Sequence, residues 1–173
     1  IAIENGDLVD VEETKAKYDE FERNTLRQRL EAMTNVHTAE KFGLDNLPGD
    51  AYERMAAALG DDGEWERIER SRWFRDAQNR AAEDRYFHWR LEYPEVFYNA
   101  SGEERDDPGF DAVIGNPPYV RSRNLPDAHR EFYREEYRSA EGAYDVYVPF
   151  LERAAALGAR NSFIVPNKWT TTD

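Results

Sequence analysis

Residues 110–119 of this 173-residue chain, FDAVIGNPPY, decide the fold. The largely apolar run 110–114 predicts a short buried strand. Residues 115–118, Gly-Asn-Pro-Pro, stop this strand, because Pro117 and Pro118 have a fixed φ and no N–H to donate to a sheet. We therefore expect a polar turn at the carboxyl end of a strand, which is the edge where α/β proteins place their ligand sites.

The sequence after this turn predicts helices and a second strand. Residues 127–139 have a polar, helical pattern, and residues 144–157 predict an amphipathic helix that ends at Gly158. Residues 161–165 are apolar enough for another buried strand, closed by Pro166. The order strand, helix, strand is typical of a βαβ unit in a parallel sheet.

The first hundred residues are predicted to be mostly helical. A short strand and an Asn-Gly-Asp turn are expected within residues 1–10. Helical segments follow, with a long charge-rich helix predicted over residues 63–91. We therefore expect an α/β fold with three parts: strand and turn in residues 1–10, a helical insertion in residues 11–100, and the motif-bearing part in residues 101–173. Because the chain starts at Ile1 and stops soon after a strand-like run, we expect an internal piece of a longer protein.

The composition is strongly acidic. Asp and Glu number 36 against 23 Lys and Arg, which gives a net charge of -13 and a sequence pI of about 4.7. This balance excludes binding to nucleic acid through bulk positive charge alone. It favours a salt-loving source, in which salt screens the self-repulsion, over a locally acidic interaction module.

The sequence argues against disulfides, metal sites and membrane segments. There is no Cys, so disulfides and thiolate metal sites are excluded. His37, His88 and His129 are not at metal-ligand spacing, so no metal is expected. No apolar run approaches the length of a membrane span and no leader pattern is evident, so we expect a cytoplasmic protein without membrane partners.

Residues 116–119 place hydrogen-bond acceptors beside an aromatic ring. The Asn116 side-chain oxygen and the Pro117 carbonyl lie on a stiff backbone, and Tyr119 supplies a flat face. A planar ring with an exocyclic amino group fits this set. Acceptors for both N–H bonds favour a pyramidal, nucleophilic nitrogen and stabilise positive charge that develops there during alkyl transfer. A base in a duplex would have to be flipped out to reach them.

Two other interpretations of these four residues exist. Asn and Pro are common turn residues, so the motif could be an ordinary turn. A polyproline ligand is disfavoured, because both prolines directly follow a predicted buried strand.

The wider sequence resembles the adenine-specific DNA methyltransferases of restriction-modification and phage-exclusion systems. The resemblance rests on residues 110–121, FDAVIGNPPYVR, and on the downstream segments 144–152, YDVYVPFLE, and 162–169, SFIVPNKW. The upstream segment 87–97, FHWRLEYPEVF, shares it. It is dense over residues 86–169 and looser over the helical first part.

The resemblance implies a partial Rossmann-like methyltransferase core with a large helical insertion. It also implies transfer of a methyl group from S-adenosylmethionine to the amino group of a flipped adenine in double-stranded DNA. Asn116 and the Pro117 carbonyl would hold that amino group, and Tyr119 would stack on the base. A restriction nuclease, fused to the parent or separate, is compatible with the resemblance, although no residue here indicates nuclease chemistry.

The resemblance also assigns binding residues. Asp7, Pro118 and Phe150 would contact the cofactor, with Asp7 and Phe150 beside its adenine ring. The positions of three basic residues, rather than the resemblance, predict contacts with nucleic acid. Arg121 and Arg123 follow the motif on a loop and are expected to meet phosphates, and Lys168 is expected to meet the DNA backbone, although it could equally only end a strand.

The sequence departs from the family in two respects. The aromatic wall and the target-recognition domain that the family carries downstream are missing from these residues. No glycine-rich cofactor loop is present, since Gly6 is isolated. We therefore expect this polypeptide alone to be inactive and to bind S-adenosylmethionine weakly or not at all.

Two groups of alternatives remain open. The same motif acts on cytosine, RNA adenine or protein glutamine, although the long helical insertion and residues 88–97 favour DNA. A non-catalytic binding or assembly module, with the motif as a relic, is the alternative outside enzymes.

Overall fold

The computed structural model describes Lys15, Glu20 and residues 24–166. The chain divides into two compact units, residues 1–91 and residues 92–173. The described part of the first unit is helical, and that of the second combines helices with a small parallel sheet.

All three predicted parts extend beyond the described residues, the third of them at residues 167–173. The strand and turn expected in residues 1–10 lie outside the described residues. The extent of the helical insertion, residues 11–100, stays a prediction.

The described helices of the first unit pack around one apolar core. In chain order they are α1 Thr25–Lys41, α2 Ala51–Ala57, α3 Asp62–Glu69 and α4 Arg72–Asp84. Phe74 on α4 lies at the centre, with its ring edge-on to Trp65 at 5.9 Å and to Trp73 at 5.8 Å. Met55 and Val36 are fully buried beside this cluster.

The predicted long helix over residues 63–91 is wrong, because the chain breaks twice. The Ser71 hydroxyl donates to the Ile68 carbonyl at 2.5 Å, and Ser71 adopts an extended backbone that begins α4 as its N-cap residue. Serine competes in this way with helical backbone bonds. Arg85 then takes a left-handed conformation with φ 55° and ends α4. The remaining turns are short helices, α5 Trp89–Glu92 and α6 Pro94–Phe97.

Polar side chains cross-link the first unit. Asn35 on α1 donates from Nδ2 to Gln78 Oε1 on α4 at 2.9 Å, and Gln78 Nε2 donates to the Ala32 carbonyl at 2.9 Å. The ring nitrogen Nε2 of His88 lies 2.7 Å from Asn35 Oδ1. Because Asn35 Oδ1 is an amide oxygen and can only accept, His88 Nε2 is the donor in that bond. His88 therefore has a structural partner.

The second unit contains a βαβ arrangement, as the sequence predicts. Strand β1 is Val113–Gly115 and strand β2 is Asn161–Phe163; they pair in parallel with Val113 opposite Asn161 and Gly115 opposite Phe163. Between them lie the 3₁₀ turn Ser122–Asn124 and the helices α7 Asp127–Glu136 and α8 Tyr147–Leu157.

The predicted burial of β1 is wrong in one respect. Ile114 is 82% exposed, and Ile164 just beyond β2 is 69% exposed. Successive side chains of a strand alternate between faces, so Ile114 and Val113 point to opposite sides of this sheet. Val113 is partly buried, with a methyl group close to Gly158 at the end of α8. The opposite face therefore presents apolar side chains to solvent.

Gly158 allows close approach of the end of α8 to the start of the first strand. Phe110 and Gly158 form a parallel bridge, and the Phe110 N–H donates to the Leu157 carbonyl at 2.8 Å. A methyl group on Gly158 would lie 2.7 Å from the Phe110 carbonyl oxygen and 2.9 Å from Val113 Cγ2. The backbone atom cannot yield without moving the strand.

Gly158→Ala is expected to lower the free energy of unfolding by about 1–3 kcal/mol, because it overpacks this contact. Urea denaturation followed by circular dichroism measures the change. Gly60→Ala is the matched control, since nothing lies within 4 Å of a methyl group there. Equal stability of the two variants would show that the strand can shift away at no cost.

No helix within the described residues has both the length and the apolar character needed to cross a membrane.

Candidate active site

The four motif residues form a turn at the carboxyl end of β1. Gly115 ends the strand, and residues 116–119 leave the sheet without regular secondary structure. Pro117 is buried, whereas Asn116 and Pro118 are exposed and Tyr119 is 53% exposed. The buried proline anchors the turn, and the side chains on either side of it remain accessible to a ligand.

The main chain of Ile164 holds both ends of this turn. Its N–H donates to the Gly115 carbonyl at 3.2 Å, and its carbonyl accepts from the Tyr119 hydroxyl at 2.8 Å. The same hydroxyl lies 3.2 Å from Asn116 Oδ1, to which it also donates. One residue at the end of β2 therefore fixes the span of the motif.

The segment after the motif pairs with the segment that leads into α8. The Val146 N–H donates to the Val120 carbonyl at 2.7 Å, and the Ser122 N–H donates to the Tyr144 carbonyl at 2.9 Å. Arg121 and Asp145 form an antiparallel bridge between these bonds. This pairing occupies the residues before the helix, and Val146 is the N-cap residue with φ -59° and ψ -26°. The helix α8 therefore begins at Tyr147, and its predicted start at residue 144 is wrong.

Two aromatic side chains pack against the motif turn and the strand residue before it. Tyr147 is 4% exposed, and its ring lies edge-on to that of Tyr119 with centroids 6.3 Å apart and planes at 89°. Phe163 lies opposite Gly115 in the sheet, where a methyl group on the glycine would come within 2.9 Å of Phe163 Cε1. Glycine at this position lets the ring cover the backbone that precedes Asn116.

The connection from α7 to α8 is also fixed. The Glu152 carboxylate on α8 accepts from the backbone N–H groups of Arg138 and Ser139, at 3.1 and 2.9 Å. Hydrogen bonds from Ser139 and Arg138 hold the pKa of this carboxyl below its ordinary value. Burial raises the pKa of the Tyr144 phenol above its ordinary value.

The predicted site residues fall into three groups. Asn116, Pro117, Pro118 and Tyr119 lie together in the motif turn. Phe150 lies on α8, three residues after Tyr147, and is 43% exposed. Residues three apart lie on the same side of a helix, so Phe150 is placed about one turn along α8 from Tyr147. Asp7 and Lys168 lie outside the described residues.

The two predicted nucleic-acid residues in the described part follow the motif directly. Arg121 is exposed at the antiparallel bridge, and Arg123 is exposed in the 3₁₀ turn Ser122–Asn124. Both side chains are accessible to solvent.

Sequence reasoning assigned no role to Tyr147, Phe163 or the carbonyl of Ile164. Tyr147 and Phe163 both fall within the segments that carry the family resemblance, and that was the available signal. The contact of Tyr119 with the Ile164 carbonyl joins residues 45 apart and leaves no local pattern.

Comparison with known proteins gives a consistent family. A family model described as Eco57I restriction-modification methylase matches residues 45–173. The chain is 41% identical to the type II methyltransferase M.XhoI of Xanthomonas vasicola over 64 residues, which cover 35% of this chain and 12% of that protein. It is 40% identical to the type II methyltransferase M.PaeR7I of Pseudomonas aeruginosa over 63 residues, 35% of this chain and 11% of that protein.

A third relative is also a type II methyltransferase. The type II methyltransferase M.BstVI of Geobacillus stearothermophilus is 42% identical over 48 residues, which cover 28% of this chain and 9% of that protein. The matches therefore span about a tenth of the length of these relatives. No solved structure matches the chain.

Proposed function

Since this chain belongs to the Eco57I restriction-modification methylase family, we propose that it is the motif-bearing part of a DNA methyltransferase that modifies the amino group of adenine. The observation that carries the proposal is the turn of residues 116–119 at the carboxyl end of β1, with an accessible Asn116 and a half-exposed Tyr119. The three type II methyltransferase relatives support the same reaction class.

The motif turn fits a flipped adenine. Asn116 Oδ1 and the Pro117 carbonyl each accept one N–H of the exocyclic amine, which localises the nitrogen lone pair for attack. They also stabilise the positive charge that the nitrogen carries until it loses a proton to solvent. The exposed face of Tyr119 stacks on the base, a contact worth roughly 1–3 kcal/mol.

S-adenosylmethionine is the proposed methyl donor, and when bound it supplies an electrophilic methyl group on a positively charged sulfur. Pro118 and Phe150 are exposed and apolar, so they fit the cofactor side of the motif. Phe150 would place its ring against the adenine ring of the cofactor, with Asp7 on the other side. These residues bind and orient, and the motif positions the amine for direct in-line attack.

Arg121 and Arg123 are proposed to meet DNA phosphates beside the motif. In a chain of net charge -13, contact with DNA depends on such local cations. Their place directly after Tyr119 puts two guanidinium groups next to the base-holding turn.

A Rossmann-like core is proposed to be completed by further parts of a longer parent protein. Parallel sheets are normally covered on both faces, yet Ile114 is largely exposed here. The short match to the relatives' length supports the same proposal. The methylating activity is therefore proposed for the parent, together with a restriction nuclease as a separate or fused partner.

The test is a methylation assay of the parent enzyme with S-adenosylmethionine carrying a labelled methyl group, run in parallel on duplex DNA, RNA and protein. Nucleosides from digested product are separated by chromatography and mass spectrometry. We expect label in N6-methyladenine. If the label appeared instead in N4-methylcytosine, in RNA or in protein glutamine, that group would be the substrate and adenine in DNA would not. If none of them were labelled, a non-catalytic module would be favoured.

A further inference from the structure

The Tyr119 hydroxyl has more bonding partners than a base-stacking ring requires. It lies 2.8 Å from the Ile164 carbonyl oxygen and 3.2 Å from Asn116 Oδ1. A phenol has one hydrogen to donate, so the two acceptors share it or take it in turn. The ring is also held by the edge contact with the buried Tyr147.

We propose that Tyr119 is a positioning residue for Asn116, in addition to the stacking role that its ring has in the proposed function. The hydroxyl donates to Asn116 Oδ1 before the base arrives, so the amide oxygen, and not its NH₂ group, faces the place of the target amine. Without the Tyr119 hydroxyl, the Asn116 amide could rotate and turn its NH₂ group toward the target amine. Two hydrogen-bond donors would then face each other for part of the time. The inference rests on the proposed adenine methylation.

The Ile164 carbonyl makes this arrangement reversible at little cost. When the target amine donates an N–H to Asn116 Oδ1, the Tyr119 hydroxyl gives up its bond to that oxygen. It still donates to the Ile164 carbonyl, so the hydroxyl is not left without a partner. The hydroxyl thus holds the acceptor in orientation in the free enzyme and releases it to the substrate. Because Ile164 contributes a backbone atom, its side chain has no part in the exchange.

The test is Tyr119→Phe in the full-length parent enzyme, which keeps the ring and removes the hydroxyl. A single hydrogen bond of ordinary strength corresponds to a fall in kcat of about five- to tenfold. The KM for DNA and the fluorescence increase of 2-aminopurine at the target position, which reports base flipping, are expected to stay unchanged. Tyr52→Phe is the matched control, because it removes a 2.6 Å bond from a tyrosine hydroxyl to Glu40 in the helical unit.

A double-mutant cycle separates positioning from a general structural role. In an Asn116→Asp background both side-chain oxygens are acceptors, so orientation no longer matters and Tyr119→Phe is expected to change kcat by less than about twofold. Unchanged kcat in Tyr119→Phe of the otherwise native enzyme, or a parallel loss of flipping and kcat, would overturn the inference. Failure of the native parent to methylate adenine would instead overturn the proposed function.

Discussion

Asn116→Ala is expected to lower kcat for DNA methylation by roughly 10²–10³-fold in the parent enzyme, the size of effect seen when one electrostatic partner of a reacting group is removed. Alanine keeps Cβ and the backbone before Pro117, so the buried proline still anchors the turn. It removes the one side-chain acceptor of the motif. Without the Asn116 oxygen, the lone pair of the amine nitrogen stays delocalised into the ring for more of the time. The positive charge that develops on the nitrogen during methyl transfer also loses one hydrogen-bond acceptor that would stabilise it.

The rate is best measured in a single turnover with enzyme in excess, so that product release does not hide the chemical step. Asn79→Ala is the matched control: the same amide is removed from an exposed position of α4 in the helical unit. We expect no change in the control. Methylation at the native rate by Asn116→Ala would mean that the motif is not catalytic and would favour the assembly module.

The order of elements in the second unit was predictable, because short-range signals specify it. Proline after Gly115 ends β1, and Gly158 lies just past the last residue of α8. The two strands and the helix between them follow from these signals and from the apolar runs. Their pairing in parallel is then the usual consequence of a helical crossover.

The rest depends on contacts between distant residues. The helix predicted from residue 144 starts three residues later, because the segment before it pairs with residues 120–122, with Arg121 opposite Asp145. The break at Ser71 depends on the hydrogen bond from its hydroxyl to the Ile68 carbonyl, and the periodicity of apolar residues does not predict that bond. In the site, the motif was visible in sequence but the bond from Tyr119 to Ile164 was not, since the sheet brings those residues together.

Phe74→Ala is expected to lower the free energy of unfolding of the helical unit by about 3–5 kcal/mol. The side chain is 5% exposed, and its ring contacts two tryptophan rings edge-on. Alanine would leave a cavity between α3 and α4 and would also lose aromatic pair contacts worth about 0.5–1.5 kcal/mol each. Such a loss is comparable with the total stability of many domains.

Tryptophan fluorescence during urea denaturation reports on this unit, because Trp65 and Trp73 both lie in its core. Arg75→Ala is the control on the next residue of the same helix, where the side chain is exposed and the change should stay within about 0.5 kcal/mol. A midpoint for Phe74→Ala equal to that of Arg75→Ala would mean that the aromatic cluster does not hold the helices together. A shift of the fluorescence transition with an unchanged slope would show that Phe74 stabilises the folded helices, since the slope reflects the surface exposed on unfolding.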